Sequence, residues 1–149
     1  MVFDMKKITF GGIIAIILIG IIIFLRMSND LPNGETDFVF HVRLADPEMY
    51  ENGVYQEIFD LPPGEFRFKF IANGDSPEKL SITMRNEEFS FSEDFKLEGT
   101  AHTTPISEYF TWSYLGEKKI KTSDWQSLEV SIDPHGNLQG PVSVMIAST

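Results

Sequence analysis

Leu61-Pro62-Pro63-Gly64-Glu65-Phe66-Arg67-Phe68-Lys69-Phe70 is the stretch from which the fold is read. After a Pro-Pro-Gly turn, phenylalanine takes every second position and a charged residue fills each gap. Successive side chains of a strand point to opposite faces, so Phe66, Phe68 and Phe70 line one face while Glu65, Arg67 and Lys69 line the other. A helix would scatter the same rings around its circumference. Proline presets the turn and glycine supplies a positive φ, which predicts a tight hairpin joining this strand to the one before it.

The same period of two runs outward in both directions. Phe38, Phe40, Val42 and Leu44 alternate with Val39, His41 and Arg43, and Leu80, Ile82 and Met84 with Ser81 and Thr83. Residues 54–59, 89–91 and 95–97 continue it, as do Phe110-Trp112-Tyr114, Leu128-Val130-Ile132 and Val142-Val144-Ile146. Breaks fall at Asn73-Gly74-Asp75-Ser76-Pro77, Gly116-Glu117-Lys118-Lys119 and Asp133-Pro134-His135-Gly136-Asn137. About eight or nine short strands with Gly/Pro turns and no amphipathic helix predict an all-β, antiparallel two-sheet sandwich of jelly-roll type over residues 37–149.

Ahead of this domain, residues 8–25 form an apolar run without a charge. Eighteen residues at helical rise span about 27 Å, close to the thickness of a bilayer's hydrocarbon core. The run exceeds a secretory signal's apolar region, and Arg26-Met27-Ser28-Asn29-Asp30 follows it in place of a small-x-small cleavage site. An uncleaved transmembrane helix is expected over 8–27, after a tail at 1–7 and before a short linker at 28–36. Lys6 and Lys7 precede the run, whereas Asp30, Glu35 and Asp37 follow it. Positive flanks stay inside, so the amino terminus is expected in the cytoplasm and the large domain outside it, in a single-pass protein of the cell membrane. Gly11, Gly12, Ala15 and Gly20 are small residues that would let a second helix approach closely.

Of 22 acidic and 12 basic residues, only Asp4 and Lys6, Lys7 and Arg26 precede residue 28; the outer segment keeps 21 acids against 9 bases, a formal charge of −12. A field of that sign repels phosphate backbones, which argues against a nucleic-acid partner. Cysteine is absent, so the domain has no disulfide, thiolate metal site or cysteine nucleophile, and its core alone must hold it together.

Two of its segments carry a resemblance. Tyr55-x-x-x-Phe59-x-Leu61-Pro62-Pro63-Gly64-Glu65-Phe66-x-Phe68-x-Phe70 and Gly136-Asn137-Leu138-Gln139-Gly140-Pro141-Val142-Ser143-Val144 resemble the hairpin and last strand of membrane-tethered, GOLD-like jelly-roll modules. They are similar also to single-pass, outward-facing proteins of archaea. The resemblance implies protein contact beside a membrane and carries no active residue with it. In the cargo receptors of that family the anchor follows the sandwich, whereas here it precedes it.

No catalytic spacing stands out. His41, His102 and His135 lie in separate segments, and no HExxH, GxSxG or phosphate-cradling glycine loop occurs. Glu87-Glu88 and Glu93-Asp94 are adjacent residues, which a strand turns to opposite faces. Ser107 and Ser113 lack a strand-to-helix elbow. No enzyme activity and no cofactor are expected. Tyr109, Phe110, Trp112, Tyr114 and Trp125 concentrate aromatic surface. Phe110, Trp112 and Tyr114 share a parity, which buries at least two of them and leaves Tyr109 and Trp125 as the exposed rings on which a sugar could stack. Asp46, Glu48, Glu51 and Asn52, with Asn73 and Asp75 in another loop, are oxygen ligands of the kind that hold a structural calcium. The function expected is a non-catalytic interaction or accessory module contacting another membrane or envelope protein. The alternative is a carbohydrate- or peptide-binding sandwich.

Overall fold

The computed structural model describes residues 37–149, which form nine strands and one short 3-10 turn at Pro47–Met49. In chain order the strands are β1 (Phe38–Leu44), β2 (Tyr55–Leu61), β3 (Gly64–Ala72), β4 (Lys79–Arg85), β5 (Ser90–Thr103), β6 (Glu108–Leu115), β7 (Lys119–Thr122), β8 (Gln126–Asp133) and β9 (Val142–Ser148). The expected membrane helix at 8–27, with Gly11, Gly12, Ala15 and Gly20, lies outside the described residues, as do the tail at 1–7 and the linker at 28–36. Among the described residues no helix is long and apolar enough to cross a membrane.

The strands make two antiparallel sheets, ordered β1-β9-β3-β7 and β2-β8-β4-β5-β6. Alternation decides what each sheet buries. Leu80, Ile82 and Met84 of β4 and Leu128, Val130 and Ile132 of β8 are fully buried on the inner face of the five-stranded sheet. Val42, Leu44, Phe66, Phe68, Val144 and Ile146 meet them from the other sheet, and all belong to one hydrophobic cluster. Phe68 ties the layers together: its ring lies 5.4 Å from Phe91 and 5.2 Å from Phe95, both on β5 of the opposite sheet.

Three features depart from the sequence reading. The Pro62-Pro63-Gly64 turn is not a hairpin, because β2 pairs with β8 whereas β3 pairs with β9 and β7. It is a corner that carries the chain from one sheet to the other. Gly64 takes φ 151°, a conformation essentially confined to glycine, and a β-carbon there would come within 3.3 Å of the Phe66 ring. The Thr122 hydroxyl donates to the Pro62 carbonyl at 2.8 Å and pins the corner to β7. The expected strands at 89–91 and 95–97 are not separate: one run, β5, starts at Ser90 after Phe89 and continues across Glu93-Asp94. Lys119-Ile120-Lys121-Thr122, whose first lysine closed an expected turn, is itself a strand, β7, with Ile120 and Thr122 buried.

Candidate functional site

β5 is longer than the sheet that supports it. Its ladder with β4 ends at Lys96, opposite Lys79, with Leu97 N–H still donating to the Glu78 carbonyl at 2.8 Å, and from Glu98 to Thr103 it pairs with β6 alone. Six residues at strand rise make an arm about 20 Å long. Its tip is Thr104-Pro105-Ile106-Ser107, closed by Thr104 N–H donating to the Ser107 carbonyl at 2.8 Å and by Ser107 N–H donating to the Thr104 hydroxyl at 3.0 Å.

Pair register fixes what the two faces carry. On the face continuous with the core, Leu97, Gly99 and Ala101 lie opposite Tyr114, Trp112 and Phe110. At the base Tyr114 is fully buried, and its hydroxyl donates to the Pro77 carbonyl at 2.5 Å. Burial raises the Tyr114 phenol's pKa, with a smaller contribution from neighbouring Tyr50. Further out the core ends but the rings continue: Trp112 is 37% exposed, Phe110 57% and Ile106, at the tip, 95%. The rings of Phe110 and Trp112 stack with centroids 5.9 Å apart. On the opposite face Tyr109 stacks on His102 at 4.9 Å, and His102 Nε2 lies 2.8 Å from the Thr111 hydroxyl.

Trp112 sits where two glycines admit it. A β-carbon at Gly99 would come within 2.9 Å of the indole, and one at Gly74 within 3.1 Å. The Gly74 loop is in turn clasped by the segment before β9. Ser76 Oγ donates to the Pro141 carbonyl at 2.6 Å, and Asn137 Nδ2 donates to the Asp75 carbonyl at 3.1 Å. Gly140 approaches so closely that a β-carbon would meet the Asp75 carbonyl oxygen at 2.1 Å. The root of the arm is therefore fixed up to Trp112, while Phe110 and Ile106 beyond it are largely uncovered.

The arm also ends a sheet. A sheet edge offers unpaired N–H and C=O groups, which proteins usually blunt with lysine, inward charge, bulges or short strands. Three of the four edges here are blunted. β1 shifts register between Phe38 and Phe40; β7 has four residues, two of them lysine; and β2 places Glu57 on its inward parity, where it accepts from the Tyr55 hydroxyl. β6, Glu108-Tyr109-Phe110-Thr111-Trp112-Ser113-Tyr114-Leu115, has no lysine, no proline and no register shift, and among the described residues no strand covers it. Because 104/107 is a hydrogen-bonded pair, the alternation of an antiparallel ladder makes 102/109, 100/111 and 98/113 hydrogen-bonded as well. The amides and carbonyls of Phe110 and Trp112 therefore point to the open edge.

The residues singled out from sequence are not brought together. Tyr109 and Trp125 are both exposed, at 50% and 70%. Tyr109 pairs with His102 on the arm, whereas Trp125 precedes β8 at the other end of the sheet, beyond the start of β5. Roughly 40 Å of strand separates them, so they form no single stacking strip. The expectation that at least two of Phe110, Trp112 and Tyr114 are buried holds only for Tyr114. Their shared parity is as expected, but the opposing sheet does not reach the outer two. In the first acidic loop Asp46 accepts from Glu48 N–H at 2.9 Å as a helix cap, and Glu51 closes a turn onto Val54. Asn52 and Gly53 occupy the two left-handed positions of that turn. In the other loop Asn73 Oδ1 accepts from Asp75 N–H at 2.9 Å. Among the described residues no three His, Cys, Asp or Glu side chains converge on a metal position.

One polar constellation was not legible from spacing. Ser81 Oγ lies 2.5 Å from Asp94 Oδ1 and 2.8 Å from His135 Nε2, and Lys79 Nζ sits 2.5 Å from Asp94 Oδ2. Hydrogen bonds from Lys79 and Ser81 lower the Asp94 pKa, so its carboxylate is ionised and only accepts. The one Ser81 proton goes to Asp94, and His135 Nε2 must then be the donor to Ser81. That order makes Ser81 a donor to Asp94 and an acceptor from His135 in one exposed network joining β4, β5 and the turn after β8. Comparison with protein-family models, curated proteins and solved structures finds no match to this chain.

Proposed function

We propose that this chain is a membrane-anchored, outward-facing, non-catalytic interaction module of jelly-roll type that contacts other membrane or envelope proteins through the β5–β6 arm. The apolar run at 8–25 and its charged flanks support the anchor and its orientation. Strand order supports the jelly-roll reading: β1-β9-β3-β7 facing β2-β8-β4-β5 interleaves two Greek keys, with β6 as an added edge strand. The resemblance to GOLD-like modules points the same way.

The observation that carries the proposal is the apolar face of the arm, with Phe110 and Ile106 largely uncovered and Trp112 partly so, beside an edge that nothing blunts among the described residues. Exposed contiguous rings on a rigid root are what a protein contact uses as anchors. The carbohydrate-binding alternative draws on the exposed rings of Tyr109 and Trp125, and their separation weighs against a shared platform.

A photo-crosslinking residue placed at position 110 of the full chain, in intact membranes, tests this directly. Discrete protein adducts are expected at 110 and not at the more exposed positions 58 and 125. Adducts at all three alike, or none at 110, would contradict the arm's role. Tight retention of one sugar class by the full chain, lost in Trp125→Ala, would favour the carbohydrate reading.

A further inference from the structure

We propose that the occupant of the β6 edge is a second copy of this chain, its β6 laid antiparallel to the first so that the two five-stranded sheets become one. The inference rests on the reading of the arm as a contact surface and specifies the partner. Strand addition at an open edge derives affinity from main-chain hydrogen bonds and specificity from alternate side chains. The groups offered by Phe110 and Trp112 are of the right kind and phase.

The sequence of β6 is self-complementary about Thr111. With the two-fold axis at that residue, Phe110 of each copy lies opposite Trp112 of the other, twice over, and Tyr109 lies opposite Ser113. Phe110 and Trp112 both face the open edge, so this pair is a hydrogen-bonded one and the ladder stays in phase. No charge meets a like charge, since Glu108 falls opposite Tyr114 and residues 109–115 carry none. Moving the axis to Trp112 would set Phe110 against Tyr114, whose ring is fully buried and unable to answer it. Beyond β4 the β5 side of the arm is open too, but it presents only Gly99, Ala101 and Thr103, with no ring to pair.

Magnitude sets how such a dimer behaves. Covering seven residues of one strand with their two rings removes on the order of 500 Å² per copy, below the ~800 Å² of a stable complex. A charge of −12 on each domain opposes approach as well. Edge pairing alone is weak, and sharing one membrane supplies the effective concentration that completes it.

Because the chain has no cysteine, a single introduced thiol is unambiguous. At the axis Thr111 faces Thr111 of the copy as a non-hydrogen-bonded pair, with Cα atoms about 4.5 Å apart, within disulfide reach. Full-length Thr111→Cys in membranes is expected to form a disulfide-linked dimer roughly tenfold or more faster than Ile58→Cys, which reports random encounter in the same membrane. Tyr109→Cys and Ser113→Cys should link when mixed and not when alone. Phe110→Lys added to Thr111→Cys should return the rate to that of Ile58→Cys. Linking of Thr111→Cys no faster than Ile58→Cys, or Tyr109→Cys linking alone as fast as Thr111→Cys, would overturn the proposal. If a crosslinker at 110 then captured a different protein, the second copy would be excluded and the contact surface would stand. If neither linked, both would fall.

Discussion

Phe68 is the residue on which the two sheets depend most visibly. It is 1% exposed and touches Phe91 and Phe95 across the interior. Phe68→Ala removes that transfer energy and leaves a cavity, and is expected to cost about 3–5 kcal/mol in chemical denaturation of the full chain. Its neighbour Lys69 points outward, with Nζ 5.8 Å from the Phe38 ring centroid, and Lys69→Ala should change stability by less than about 1 kcal/mol. Comparable losses at the two positions would mean that β3 is out by one residue, which exchanges its faces. That alternation was legible because ring and charge strictly take turns in Phe66-Arg67-Phe68-Lys69-Phe70.

At the scale of elements, legibility follows how much of a strand both layers cover. β3, β4, β8 and β9 could be read directly, since in each the apolar parity packs on the core. β5 reads as two pieces because Glu93 and Asp94 interrupt its apolar pattern, yet Asp94 and Lys79 pair across the outer face and keep the strand continuous. β7 is too short and too charged to stand out from a turn. Phe110, Trp112 and Tyr114 have the pattern of a buried strand, and only the lengths of β4 and the facing sheet decide that two of them lie beyond the core. Period reports which way a side chain points and says nothing of what stands opposite. The Ser81-Asp94-His135 group was hidden for the related reason that its members are far apart in the chain. At the root of the arm, Tyr114 binds the Pro77 carbonyl, and Tyr114→Phe should cost about 1–2 kcal/mol by leaving that carbonyl unpaired. Burial raises the phenol's pKa above the value near 10 of an unfolded tyrosine. Above that value the unfolded chain releases its proton while the folded chain keeps it, so stability present at lower pH declines as pH rises. Unfolding followed across the alkaline range should show a shallower decline in Tyr114→Phe, with a residue of slope from Tyr50 and Tyr55, whose pKa values are also raised by burial. An unchanged slope would mean that Tyr114 is not buried in solution.

For the whole molecule, the division between an apolar leader and an acidic sandwich is the largest feature. Protease added to intact cells is expected to remove the domain beyond Asp30, and protection until lysis would reverse the proposed orientation. A core shared by two sheets accounts for stability without disulfides, and the arm accounts for surface that the core does not use. Among the described residues no strand pairs with the edge amides of Phe110 and Trp112, and the proposed contact would pair them. Amide hydrogen exchange at these two residues, compared between the dilute, dispersed full chain and the same chain in its own membranes, tests it most directly. Fast exchange when dispersed and strong protection in the membrane is the result predicted. Equally fast exchange in both, or protection already complete in the dispersed chain, would contradict it.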